Sequence, residues 1–173
     1  DYIRTMRMGD ALSDDSSVGI FGEAAGNDAN DDRDSKISFL SFDAAKLRTM
    51  QNTMNKAELV LTYIGRRESS KTGEDRLMAV RVSDEWKETE LKWSNLPTLD
   101  TTSVKTSESF PIDKNNVVMA QDEKYNTSQG IDGTKVTIDV TEWVQNLDPT
   151  AKTLSLAVCE EKGIELAFVS REG

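Results

Sequence analysis

Apolar and polar residues alternate along much of this chain with a period of two, the pattern of strands that bury one face. SKISFLSFD (35–43) alternates Ile37 and Phe39 and then, after a shift, Leu40 and Phe42. AELVLTYI (57–64) alternates Leu59, Leu61 and Tyr63. The same reading predicts strands in DYIRTMRM (1–8), SVGIFGEA (17–24), RLMAVRVS (76–83), SVKTSESF (103–110), NVVMAQ (116–121), KVTIDV (135–140), TLSLAVC (153–159) and GIELAFVS (163–170). Short strands divided by Gly, Asn, Asp, Ser and Pro clusters predict an all-β fold, an antiparallel β-sandwich or jelly roll.

Two stretches depart from that period and predict one or two short helical turns. DAAKLRTM (43–50) begins on Asp43, a good capping residue, and TEWVQNL (141–147) begins on Thr141 and stops before Asp148-Pro149. Trp143, Val144 and Leu147 then share one helix face and would plug one end of the sandwich. The polar stretches 27–34, 66–75, 96–102 and 122–133 read as loops, where function is to be sought.

A chain of 173 residues suits one domain with one core, and no internal repeat or interdomain linker interrupts it. The formal net charge of −10, from 31 acidic and 21 basic residues, argues against a surface that tracks nucleic-acid phosphates. No apolar run approaches the ~20 residues of a membrane-spanning helix, so no membrane insertion is expected. The chain opens on DYIRTM rather than on a signal sequence, and the expectation is a soluble piece of a larger protein.

The chain has no histidine, which excludes Ser-His and Cys-His triads and histidine-dependent zinc sites. The single cysteine, Cys159, sits in the apolar run LSLAVC and reads as a small buried hydrophobe. Carboxylate pairs do glycosidase chemistry without histidine, and Glu85, Glu88, Glu90, Glu160 and Glu161 supply carboxylates. Nothing in their spacing singles out an acid and a base, so the chain is not expected to be an enzyme.

DEWKETELKWSNLP (84–97) sets Trp86 and Trp93 seven residues apart across a polar turn. With FLSFD, AELVLTY and RLMAVRVS before it and VTIDVTEWVQ and LSLAVCEEKGIELAFVSREG after it, the chain resembles the DNRLRE-type domain, also classed among carbohydrate-binding modules. The resemblance runs from DYIRT to SREG. It implies a jelly-roll sandwich, a non-catalytic role and a setting in secreted or cell-surface proteins such as alginate lyases and disaggregatase-related enzymes. In some members it implies recognition of an acidic polysaccharide such as alginate. The family pattern continues past SREG with a proline-containing loop and a final apolar strand. One module over 1–173 is therefore expected, excised from a larger secreted protein and either short of its last strand or given it by another segment.

Such modules cover the apolar faces of sugar rings with exposed aromatic rings, and uronates add carboxylates that call for Arg or Lys. Arg66, Arg67, Arg76 and Arg81 are the candidate cationic groove, with Tyr63 and Tyr125 as candidate stacking platforms. Trp86, Trp93 and Trp143 alternate with aliphatic residues and are expected in the core. In NDANDDRD (27–34), Asp28, Asn30, Asp32 and Asp34 fall at the opening ligand spacing of a calcium loop. Arg33 and Phe39 stand where an EF-hand needs glycine and glutamate, so an EF-hand is rejected; the segment reads either as an ordinary solvated acidic loop or as a sandwich loop that binds structural calcium with help from distant carboxylates. The expected function is thus a carbohydrate-binding module that targets a secreted or surface protein to polysaccharide, with a uronic-acid polymer as one ligand class. The alternative is a structural or adhesive cell-surface sandwich with no sugar ligand.

Overall fold

The computed structural model describes residues 2–5, 19–23, 34–67, 73–83, 86–87, 97–112, 117–121, 124–127, 133–160 and 166–169. In chain order these form β1 (Tyr2–Thr5), β2 (Gly19–Glu23), β3 (Asp34–Asp43), α1 (Ala44–Met50), β4 (Glu58–Arg67), β5 (Gly73–Asp75) and β6 (Leu77–Val82). There follow β7 (Leu99–Thr106), β8 (Phe110–Ile112), β9 (Val117–Gln121), β10 (Lys124–Thr127), β11 (Lys135–Asp139), α2 (Thr141–Gln145), β12 (Thr153–Glu160) and β13 (Leu166–Val169). One sheet runs β1-β13-β4-β9-β10, with β11 also paired to β4; the other runs β2-β3-β12-β6-β7. Strands β5 and β8 make a separate two-stranded piece. Among the described residues only β4 and β9 pair in parallel. The fold is an all-β sandwich, as the period-two pattern predicts.

The sheets meet through the faces that the alternation marks. Leu59, Leu61 and Tyr63 of β4, Val136 and Ile138 of β11, and Leu166 and Phe168 of β13 share one core with Leu77 and Ala79 of β6 and Leu154, Leu156 and Val158 of β12. Burying each Leu, Ile or Phe contributes roughly 1.5 to 3 kcal/mol. Tyr63, Phe110 and Phe168 form a ring triangle with centroids 5.7, 5.7 and 6.4 Å apart, tilted or edge-on as ring quadrupoles favour.

The five-stranded sheet also buries its other face. Phe39 faces Ala157 on β12, and Ala157 faces Val80 on β6, so one cross-strand row carries three buried apolar side chains. Val82 joins this cluster, and Trp86 and Leu99 pack on it half-buried, the Trp86 ring 5.8 Å from that of Phe39. Trp86 is thus partly in the core, as its motif suggests; Trp93 lies outside the described residues. Strand β12, buried on both faces, also holds Cys159, whose thiol burial pushes up to about 12. A thiol held protonated at neutral pH is a poor nucleophile, which fits its place as a small core residue.

The helical turns form where expected, with one change in how they start. The Asp43 carboxylate accepts from the N–H of Ala45 at 2.8 Å and of Lys46 at 3.3 Å, capping α1. Thr141 is the first residue of α2 rather than its cap, and the Asp139 carboxylate accepts the Thr141 N–H at 2.9 Å. Trp143, Val144 and Leu147 are all buried, and Trp143 Nε1 donates to Ser103 Oγ at 3.0 Å, fastening α2 to β7. The differences lie in the weakly apolar strands. β7 begins before the predicted segment 103–110, and Phe110 opens β8 instead of ending that segment. β5 and β10 occupy stretches read as loops, since three residues or the polar sequence KYNT show no apolar alternation.

Candidate functional site

The predicted arginine set is not gathered on one surface. Arg66 is buried, 8 % exposed. Between β13 and β4 the register shifts: Ala167 faces Gly65, but Phe168 faces Tyr63 rather than Ile64. The extra residue moves Arg66 opposite the core residue Leu166 and turns it to the inner face. Arg76 is exposed and precedes β6, whereas Arg81 lies half-buried near its far end, opposite Asp100. Five residues of extended chain separate them by roughly 16 Å. Arg67 ends β4 opposite Val118, and its side chain lies outside the described residues.

Tyr63 is 0 % exposed, so it is a core ring and not a stacking platform, a correction to its expected role. Tyr125 sits on β10 opposite Ala120, with its side chain outside the described residues. Of the calcium candidates, Asp28, Asn30 and Asp32 also lie outside, and Asp34 opens β3 opposite Glu23. Among the described residues no group of three or more His, Cys, Asp or Glu side chains is placed to hold a metal ion. Glu160, one of the carboxylates weighed for acid–base work, is fully buried.

A polar groove of ≈ 520 Å³ opens instead where the two sheets part. One wall is β7, an edge strand, through Val104, Lys105 and Thr106; the other is Asp139 at the end of β11 and Thr141, Glu142 and Gln145 of α2. The walls are joined by an ion pair, Lys105 Nζ to Glu142 Oε2 at 2.5 Å. The same ammonium stands 6.0 Å from the centroid of the Trp143 ring, a cation–π distance. Hydrogen bonding from the Thr141 side chain and backbone N–H holds the Asp139 carboxyl below the usual carboxylate range, and Lys56 and Lys105 add to the effect. Asp139 is therefore ionised at neutral pH.

Local sequence reading did not find this groove. Lys105 and Glu142 lie 37 residues apart in strand and helix segments that the pattern did not place side by side. The one available signal was the helix face of Trp143, which had to pack against some neighbouring strand. The groove size falls within the ~300 to 1,000 Å³ of small-molecule sites, and its lining mixes anionic acceptors, a cation, hydroxyls and an amide. Such a lining is suited to reading hydroxyl groups.

Comparison with curated proteins gives no match. A family model, that of carbohydrate-binding module family 96, matches residues 22–122, more than half of the chain, from β2 through β9. The match agrees with the carbohydrate-binding part of the resemblance read from the motifs, and it is the β-sandwich described above that carries those residues. The chain belongs to carbohydrate-binding module family 96.

Proposed function

We propose that this domain is a non-catalytic targeting module that holds a parent protein, secreted or at the cell surface, against polysaccharide. The observation that carries the reading is the family match over 22–122 on a two-sheet sandwich. The absence of histidine from the sequence supports a binding role over acid–base chemistry. A uronic-acid polymer such as alginate remains the charged ligand class to be tried, with Arg76, Arg81 and Arg67 as its candidate partners. Arg66 is buried and is not among them.

Affinity electrophoresis in gels containing alginate, cellulose derivatives, mannan or xylan tests the reading. Retardation by at least one polymer is the expected result. Unretarded migration in all of them, together with no signal on an array of neutral and uronic glycans, would leave the structural or adhesive alternative standing.

We also propose calcium as a structural ion of the 27–34 segment, supported by the spacing of Asp28, Asn30, Asp32 and Asp34. An ion that binds only the native state raises Tm as its concentration rises. Equal Tm in millimolar calcium and in excess chelator would end this proposal.

A further inference from the structure

We infer that β1 is a strand released by tension: load drawn through the segments that enter β1 and leave β13 peels β1 away before either sheet breaks. Its use in a tether rests on the targeting reading. The peeling itself rests on the strand register and is tested without a glycan.

The register brings the two points of pull together. β1 and β13 are antiparallel, with Tyr2 facing Val169, Ile3 facing Phe168, Arg4 facing Ala167 and Thr5 facing Leu166. Tyr2 opens β1 and Val169 closes β13, so both stand at the same end of the ladder. Antiparallel ladder bonds lie perpendicular to their strands. Drawing Tyr2 and Val169 apart therefore strains the bonds at that end first, and they break in turn. A pull along the strands from opposite ends would load all of them together.

Of the two strands, β1 is the one that gives way. β13 pairs on both sides, with β1 and with β4, whereas β1 is the end strand of its sheet. β13 also carries Leu166 and Phe168, both fully buried in the core. Freeing β13 breaks two ladders and exposes core side chains. Freeing β1 breaks one ladder.

The release has a defined limit. The next strand in the chain is β2, which belongs to the other sheet and pairs with β3 along its whole length. The chain from Tyr2 to Gly19 spans at most roughly 60 Å when extended. β1 also lies against β3 of the facing sheet, so it closes one seam of the sandwich, and its departure leaves the ladders of β12 with β3 and β6 and of β4 with β13 in place. The domain thus lengthens under load by a sub-global opening and closes again when the load falls.

Force spectroscopy on the whole chain, with a handle at each end, tests this. The expected trace shows an early extension of at most roughly 60 Å, at lower force than the main rupture. Moving the first handle to Thr102→Cys, exposed on β7, takes β1 out of the load path and abolishes the early extension. Cys159 is buried and does not compete for that handle. Ile3→Pro/Arg4→Pro, pulled from both ends, also abolishes it and leaves the main rupture force unchanged, because neighbouring amides of a strand point to opposite edges and one of the two prolines removes a donor to β13. If the proline variant does not fold, the change of handle decides. Rupture from the two ends in a single step would overturn the inference, as would an early extension that persists in either arm or exceeds the span from Tyr2 to Gly19. None of these outcomes bears on glycan retention, so the functional reading is judged separately.

Discussion

Replacing Tyr63 by Ala destabilises the domain by about 3 to 5 kcal/mol, the cost of deleting a large buried aromatic ring. Tyr63 is fully buried and touches both Phe110 and Phe168, joining β4, β8 and β13 in one cluster. The loss is read as a lower urea midpoint with an unchanged slope, since the surface exposed on unfolding stays the same. Glycan retention, measured well below the variant's melting temperature, is expected to match wild type. A stability loss under about 1 kcal/mol would contradict the core assignment. Loss of retention in a well-folded variant would restore Tyr63 as a ligand contact.

Glu160→Ala is expected to have an effect of similar size through a different cause. A carboxylate at 0 % exposure, on the inner face of β12 opposite Leu77, persists only if neighbouring groups hold it. Removing it leaves those groups uncompensated, which costs roughly 3 to 5 kcal/mol. The exposed Glu58 supplies the control, because its pair with Lys56 lies in solvent and Glu58→Ala should leave the midpoint nearly unchanged. Equal, small effects at the two positions would show that Glu160 contributes no more than a surface charge does.

The fold was legible where apolar residues recur at every second position. AELVLTYI and TLSLAVC alternate strongly and became β4 and β12, Asp43 capped the helix it preceded, and Trp143, Val144 and Leu147 were buried together. β7 was misplaced because an edge strand with few buried positions carries little apolar signal. For the binding residues, the alternation itself held the answer about Tyr63: a residue in phase with Leu59 and Leu61 shares their buried face. Arg66 was beyond such reasoning. Its inward turn depends on a register shift between β13 and β4, and the sequence of β4 alone does not mark it. The groove was hidden for a related reason, since it is made by strands and a helix that meet only after both sheets have formed.

The double-sided burial of β12 sets a hierarchy of motion. Its backbone amides bond to β3 on one edge and β6 on the other, under apolar cover on both faces. Amides so placed exchange with deuterium only when the whole domain opens, whereas those of the edge strand β7 exchange through local fraying. One strand therefore reports global opening, and the strand that walls the groove reports local opening.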